Sequence, residues 1–198
     1  MNCETLDIYE SLEHCLGETV LPGLRPRAWG IPRKDILVWP TLPAPSDENA
    51  TMESIATYIE DFVLAADKKF FAIDILDTAS NIKSESQGSI PSKTFINTLT
   101  LKYAGNNAAA TGFCRLANSD DLVYIVQQRD GKFRVLGSEA FRSDTKCTQE
   151  SGQEVTDASG TTFEITVTDV CPAPFYIGKF LTSEGIMNCA TGKIQAAA

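Results

Sequence analysis

Alternating apolar and polar positions in the middle of the chain predict two paired β-strands. Residues 70–76, FFAIDIL, place apolar side chains at every second position, and a period of two is typical of a strand with one buried face. Residues 94–103 alternate in the same way, with Asn97 on the apolar face and Ile96 on the polar face as exceptions. We expect these two runs to lie side by side in one sheet.

The segment that joins these two runs is long and polar. It spans 17 residues from Asp77 to Lys93, whereas a hairpin connection usually has about 2–5 residues. Apart from Gly88 and Pro91, which favour turns, it consists mainly of serine, amide and charged side chains. Residues 78–93 are therefore expected to form a loop that is either flexible or ordered by contacts outside its own subunit.

The second half of the chain predicts more strands and one helix. Asp130-Gly131 and Ser159-Gly160 are tight-turn sequences, and alanines with two larger apolar residues predict a helix between about Asn107 and Ala117. The predicted strands cover residues 122–127 (apolar enough to be buried on both faces), 132–136, 154–156, 162–168 and 175–180. The predicted fold class is mainly β, an antiparallel sandwich or barrel with one or two flanking helices and a long inter-strand loop.

The first 20 residues allow two interpretations. Leu6, Tyr9, Leu12 and Leu16 follow a helical spacing, which predicts a short helix on the core. The same acidic, weakly patterned segment can instead be an arm that becomes ordered against a neighbouring copy. The pattern does not decide between the two.

The next part of the chain is rich in proline. Six prolines between positions 22 and 45 exclude a regular helix and leave room for one short strand at 35–39. After them, an amphipathic helix over 46–62 competes with a strand over 58–64. We therefore divide the chain into an N-terminal arm and proline-rich segment (1–45), a β-sandwich (46–183) and a C-terminal arm (184–198).

Charge and composition exclude some classes of protein. The formal net charge is −9 and 43% of the residues are hydrophobic, so the chain can form a core but lacks the basic footprint of an electrostatic nucleic-acid binder. No run approaches the ~18 apolar residues of a membrane span, and the N-terminus lacks a signal-peptide pattern. We expect no membrane partner, and synthesis and assembly in the cytoplasm.

The sequence predicts a protein without catalytic, cofactor or metal sites. Its six cysteines contain no CxxC pair and His14 is the only histidine, so zinc-ligand spacing is missing. No nucleophile elbow, phosphate loop or metalloprotease motif occurs. We expect free, mostly buried thiols, no catalytic residues and no cofactor, and therefore a protein that is not an enzyme.

Basic and aromatic residues cluster in the proline-rich segment. Arg25, Arg27, Arg33 and Lys34 stand together in an otherwise acidic chain and are candidates for a charged contact with an acidic neighbouring copy. Trp29 and Trp39 in the same segment could form an aromatic platform for a carbohydrate or peptide.

Several segments together resemble the major tail proteins, or tail tube proteins, of tailed phages and prophages, and most closely those of phages with Bacteroidetes hosts. They are LAADKKFFAIDIL, KSESQG, SKTFINTLTLKY, DLVYIVQQRDGKFRVLGSEAF and SGTTFEITVTDVCPAPFY. The resemblance covers roughly residues 60–180, and its motifs are structural rather than catalytic. It is absent from the first 60 and the last 15 residues.

This resemblance implies a structural virion protein. Hexameric rings would join one sheet from each copy into a barrel around a lumen, through which DNA passes without specific binding, and the rings would stack into a tube beside other tail proteins such as a sheath or terminator. The loop 78–93 would reach the adjacent ring through Asn81, Lys83, Glu85, Gln87, Gly88 and Pro91. The polar face of the two central strands would line the lumen through Asp74, Thr98, Thr100 and Lys102.

Two other classes of function remain open from the sequence. Another virion β-protein, such as a tail terminator, a head–tail connector or a capsid decoration protein, shares the sandwich fold. A soluble carbohydrate- or peptide-binding sandwich would need the exposed aromatic platform.

Overall fold

Short β-strands make up most of the regular structure. The structure is a computed structural model that describes residues 8–154 and 159–196. Within these residues the only α-helix is α1 (Ala108–Ala117), and two 3₁₀ turns cover Arg33–Asp35 and Ser54–Ala56. The strands are β1 (Leu24–Pro32), β2 (Ile36–Val38), β3 (Thr57–Tyr58), β4 (Val63–Leu64), β5 (Phe71–Asp74), β6 (Asn81–Gln87), β7 (Thr94–Ala104), β8 (Leu122–Gln128), β9 (Phe133–Leu136), β10 (Ser143–Glu150), β11 (Gly160–Asp169), β12 (Phe175–Tyr176), β13 (Lys179–Thr182), β14 (Gly185–Asn188) and β15 (Lys193–Gln195).

These strands form two large and two small sheets. The six-stranded sheet has the order β3-β12-β9-β8-β1-β5, and the four-stranded sheet has the order β10-β11-β7-β6. β13, β14 and β15 form a third sheet, and β2 pairs with β4. The prediction of a mainly β fold of the α+β class is confirmed. Among the described residues, no helix has the length and apolar character that crossing a membrane requires.

Strand β8 lies at the centre of the molecule and is buried on both faces. Tyr124 and Val126 face one hydrophobic core, while Val123 and Ile125 face a second one. Each of these four side chains is at most 1% exposed. The continuous apolar run LVYIV predicted this double burial, because alternation disappears when neither face of a strand meets water.

The first core fills the space between the two large sheets. Leu99 and Leu101 of β7 and Phe163 and Ile165 of β11 pack against the facing side chains of β8 and its neighbours. The Tyr124 hydroxyl forms a hydrogen bond of 3.0 Å with the Thr145 hydroxyl, which connects the two sheets through the core. The predicted apolar positions Ile73, Ile75, Leu99 and Leu101 are therefore confirmed as buried core positions. Phe71 and Tyr103 are half-buried against this core, and Phe95 lies outside the cluster.

The helix closes one side of this core. The side chain of Asn107 caps its N-terminus, accepting a hydrogen bond of 2.9 Å from the Ala110 amide, as amide side chains commonly do. Phe113 then packs edge-to-face on Phe71 and Phe163. The helix predicted between Asn107 and Ala117 is confirmed.

The second core is largely aromatic, and the C-terminal residues cover it. Phe62, Phe70, Tyr176 and Phe180 make ring contacts with centroid separations between 5.0 and 6.3 Å. The C-terminal sheet adds Met187, which is buried among these rings. The prediction of an arm over residues 184–198 is therefore wrong for the residues of β14, which belong to the core, and for β15, which is exposed but paired.

Strand β1 is an element that sequence patterning missed. It pairs with both β5 and β8 in the middle of the six-stranded sheet, although it contains Pro26 and Pro32. Its register shifts between Leu24 and Ala28, and Pro26 lies within that irregularity. Such irregularities are where a sheet tolerates the missing N–H of proline. The short strand predicted at 35–39 is confirmed by β2.

Several other predicted elements differ from the structure. Residues 46–62 contain no α-helix; a 3₁₀ turn and β3 lie in this region, and β4 follows it. No helix forms over the described residues 8–20, which are irregular apart from a turn at Leu16-Gly17 and are exposed from Tyr9 onward. The partner of β11 is β10. Of the strand predicted at 154–156, residues 155 and 156 lie outside the described residues. The strand predicted at 175–180 is interrupted at Gly178, between β12 and β13.

We predict that replacing Asn97 with alanine lowers the free energy of unfolding by about 2–4 kcal/mol. Its buried amide donates to the Cys171 carbonyl at 3.1 Å, and its carbonyl oxygen accepts from the Ala173 amide at 3.0 Å. Alanine would leave two buried peptide groups unpaired, at about 1–3 kcal/mol each. Chemical denaturation measures the loss. Thr98→Ala on the opposite face should change stability by less than about 0.5 kcal/mol, and equal effects of the two substitutions would contradict the prediction.

Candidate assembly surface

The long connection between the two central runs contains a strand. β6 pairs with β7 in an antiparallel register from Asn81↔Thr100 to Gln87↔Thr94, so the segment folds back on its own sheet. The prediction of a loop over 78–93 is therefore wrong for residues 81–87. The two central runs also do not pair: β5 belongs to the six-stranded sheet and β7 to the four-stranded sheet.

The remaining loop is the turn at the end of the β6–β7 hairpin, residues 88–93. Gly88 begins it with φ of +78°, a conformation that glycine adopts without strain. Ile90 is 87% exposed, and Pro91 beside it is also exposed. Of the six residues predicted to contact an adjacent ring, Gly88 and Pro91 lie in this turn, and the others lie on β6: Asn81, Lys83, Glu85 and Gln87.

The outer face of the four-stranded sheet is polar and rich in threonine. On β7 this face carries three of the residues predicted to line a lumen, Thr98, Thr100 and Lys102, which lie opposite Thr166, Glu164 and Thr162 of β11. We call this surface the threonine face; its other members are Asn81, Lys83, Glu85, Gln87, Thr94, Ile96, Thr168, Asp144, Lys146 and Thr148. One face of this sheet thus packs mainly apolar side chains against the core, with buried polar exceptions such as Asn97 and Thr145, and the other is almost wholly polar.

The charges on the threonine face are mixed, and most lysines on it lie beside a carboxylate. The Lys83 ammonium lies 2.6 Å from Glu85, and the Lys146 ammonium lies 3.9 Å from Asp144. Lys102, between them on β7, makes no ion pair among the described residues. The face therefore presents hydroxyls and neutralised pairs rather than a block of one charge.

Both ends of the four-stranded sheet are open. β6 and β10 each pair on one side alone within the described part of the chain, so each carries unpaired backbone N–H and C=O groups on the other side. Ser84 and Ser86 of β6 belong to the core-facing side of the sheet, yet both are exposed, because no further strand covers them. Open edges of this kind are templates for pairing with another chain.

Asp74 does not belong to the threonine face. It lies on β5 and accepts a hydrogen bond of 3.1 Å from Arg27, which also contacts Glu184 at 2.8 Å. The hydrogen bond to Asp74 raises the pKa of Arg27. The prediction of Asp74 as a neighbour of the threonines on one wall is wrong, because its strand belongs to the other large sheet.

The predicted basic cluster has partners within the subunit. Besides Arg27, Arg33 lies 3.7 Å from the Asp121 carboxylate and donates to the backbone carbonyls of the 138–141 segment. Lys34 lies 3.3 Å from Asp120. Intramolecular contacts therefore account for three of the four residues, and only Arg25 makes no ion pair among the described residues.

The two tryptophans do not form an exposed platform. Trp29 is 4% exposed and packs on Phe133 and Phe180 in the second core. Trp39 is half-buried, with the Arg33 guanidinium 5.2 Å from its ring centre. The aromatic surface on which a carbohydrate-binding interpretation depended is therefore used to build the fold.

The described cysteines are free thiols in different surroundings. Cys15 is exposed, Cys114 and Cys147 are half-buried and adjacent, and Cys171 and Cys189 are buried. Burial, helped by Cys114, raises the pKa of Cys147 to about 12, and burial raises that of Cys171 to about 11. These two thiols stay protonated at neutral pH. Within the described ranges, no group of His, Cys, Asp and Glu residues is arranged to hold a metal ion.

We predict that Asp169 makes stability fall as the pH rises above the usual carboxyl range. It is 3% exposed at the end of β11, next to the base of the hairpin, and burial raises its pKa despite a hydrogen bond from the Val170 amide. Below about pH 4 both states are protonated; above it the unfolded chain releases this proton first, so the native state loses stability until the pH passes the raised pKa. The free energy of unfolding, measured by chemical denaturation at several pH values in this interval, should decline as the pH rises. Asp169→Asn should remove this decline. The exposed Asp144→Asn should retain it, and identical profiles for all three proteins would refute the role of Asp169.

Comparison with known proteins gave no relative on which to base an assignment. No protein-family model, no curated protein and no solved structure matches the chain. The interpretation of the threonine face and its open edges therefore depends on their geometry and on the resemblance in the sequence.

Proposed function

We propose that the chain is a structural subunit that assembles into rings, and through stacked rings into a tube of the phage-tail type. The observation that carries the proposal is the four-stranded sheet, which has two open edges, one buried face and one polar face. A sheet of this construction can join copies of itself into a closed barrel. In this role the protein is not an enzyme, needs no cofactor and acts in the virion tail after assembly in the host cytoplasm.

The open edges supply the subunit contact. If β6 of one copy pairs with β10 of the next, the unpaired backbone groups of both strands are satisfied. The two edges are different surfaces, so the contact is heterologous, and a heterologous contact whose rotation closes gives a ring. Six copies, as the tail-tube resemblance implies, would close a barrel of 24 strands from these four-stranded sheets.

The threonine face would then form the wall of the lumen. Large barrels hold water when their inner positions are polar. DNA adheres to proteins mainly through cations that pair with phosphates, and on this face Lys83 and Lys146 already lie beside carboxylates. Such a wall favours the passage of DNA over its binding. The chain as a whole carries a net charge of −9, which also disfavours adhesion.

The hairpin turn would supply the contact between rings. Residues 88–93 project beyond the paired part of β6 and β7, and they expose Ile90 at their tip. An exposed isoleucine gains free energy when a second ring covers it, about 1.5–3 kcal/mol if burial is complete. Other tail proteins, such as a sheath or terminator, would bind the finished tube.

We predict that Ser84→Lys prevents ring formation and leaves the subunit folded. Ser84 is exposed only because β6 is an edge, so a lysine there meets water in the free subunit. In a joined barrel the same lysine would lie on the apolar side of the sheet, which is how natural edge strands block pairing. Electron microscopy of the purified native protein should show tubes, and that of the variant should show neither rings nor tubes.

The matched control is Thr166→Lys, in the middle of the threonine face. This lysine would face water in both the free subunit and the barrel, so tubes should persist. Tubes from Ser84→Lys would contradict edge-to-edge joining. Native protein that forms only single rings would favour a terminator, and native protein that remains a monomer at high concentration would contradict the proposal as a whole.

We predict that Ile90→Asp separates stacking from ring formation. The side chain makes little contact within its own subunit, so the thermal stability should remain unchanged. Burying a carboxylate between rings is unfavourable, so rings should form but tubes should be short or absent. Exposed Ser89→Asp gives a control with the same new charge one position away. If Ile90→Asp tubes have native lengths in micrographs, the turn is not the stacking contact.

A further inference from the structure

The N-terminal arm, residues 8–22, exposes apolar side chains that its own subunit does not cover. Tyr9 and Leu12 are each 89% exposed, Leu16 is fully exposed, Val20 is 76% exposed and Leu21 is 51% exposed. Scattered exposed apolar residues are common, but five within 13 positions are a concentration typical of an interaction site. The arm thus has the composition of a segment that binds elsewhere.

A groove of about 770 Å³ lies at one end of the six-stranded sheet. We call it the end groove; it is bounded by residues 51–59, the β8–β9 turn, residues 175–177 and residues 189–192. Its lining includes Met52, Ile59, Phe175 and Ile177. Ile59 is 56% exposed and Ile177 is 45% exposed, so the groove presents apolar surface to water.

Basic side chains border this groove in a way that suits the arm. Arg25 and Lys132 line it, and neither makes an ion pair among the described residues. The Lys132 ammonium lies 5.5 Å from the centre of the Phe175 ring, on which Arg134 also stacks at 3.5 Å. The arm carries Glu10, Glu13 and Glu18 and no Lys or Arg. The acidic residues of the arm therefore complement the basic border of the groove, and its apolar side chains complement the apolar lining. Two carboxylates, Glu53 and Asp130, also line the groove.

We infer that the N-terminal arm of one copy binds in the end groove of a second copy. In its own subunit the arm passes the rim of the groove, where the Glu10 amide lies 2.9 Å from the Met52 sulfur, yet its apolar side chains stay outside. Extended, residues 9–21 reach about 45 Å, which exceeds the ~16 Å radius of gyration expected for a domain of this length and spans the distance to a neighbour. Each copy therefore has one groove and one arm that can bind to other copies.

The size of the contact is adequate for association within a larger assembly. Covering the five apolar side chains would remove on the order of 600 Å² of the arm's accessible surface, against about 800 Å² per partner in a standard interface. The arm and the groove are different surfaces, so exchange is heterologous and continues from copy to copy. The inference rests on the proposed function in one respect, which is that copies of the chain associate.

The test uses two full-length variants that each lose one half of the contact. The arm variant is Leu12→Asp with Leu16→Asp, and the groove variant is Ile59→Asp with Ile177→Asp. All four side chains are exposed, the least of them Ile177 at 45%. Both variants should therefore fold, and thermal unfolding should show a cooperative transition for each. The matched control, Leu116→Asp with Val170→Asp, changes two exposed apolar residues outside both surfaces.

Sedimentation analysis gives the expected pattern. The sedimentation samples all carry Ser84→Lys as well, which blocks edge pairing, so that only arm exchange can join copies. In this background the proteins with a native arm and groove, and the control, should associate as the concentration rises, and each variant alone should remain monomeric. An equimolar mixture of the two variants should form a complex of two chains and stop there, because only one intact arm and one intact groove can meet. Association of either variant alone to the native extent would overturn the inference, and so would a mixture that stays monomeric.

Electron microscopy of the same proteins without Ser84→Lys separates this inference from the proposed function. If these proteins form tubes but the mixture in sedimentation stays monomeric, arm exchange is wrong and the tube proposal is supported. If the mixture forms the two-chain complex but the native protein forms no tubes, arm exchange stands and the tube proposal is wrong.

Discussion

The burial of β8 on both faces is the constraint on which the rest of this structure depends. A strand without a solvent face needs a covering layer on each side, so the chain must build two cores. The four-stranded sheet covers one face, and an aromatic layer containing Phe62, Tyr176 and Phe180 covers the other. This need for two covers explains why residues that look like termini and linkers, including those of β14, become part of the core.

The same layering determines which surfaces are left for other molecules. The central strand β8 of the six-stranded sheet is covered on both faces, whereas the four-stranded sheet presents one whole face to water. That face is the threonine face, and among the described residues no further strand pairs with its edge strands β6 and β10. A sheet built in this way has its unused backbone hydrogen-bonding capacity concentrated at two edges.

Several residues that look functional in the sequence have structural roles. Arg27 and Arg33 bind carboxylates and carbonyls of their own subunit, and Trp29 fills the second core. These contacts join segments that are far apart in the chain, such as Arg27 and Glu184. A cluster of one charge or of aromatic rings in sequence therefore says little about a site until its partners in space are known.

The sequence by itself determined the mainly β fold, the core positions of β7, β8 and β11, the helix after Asn107 and the polar character of the threonine face. These follow from local periodicity, turn residues and capping, which act within a few positions along the chain. Only the tertiary structure decided that β6 exists, that β5 and β7 belong to different sheets, and that the proline-containing β1 lies in a sheet centre. An edge strand such as β6 is wetted on both faces and has no apolar alternation, and strand pairing depends on hydrogen bonds between backbones distant in sequence, which side-chain patterns do not record.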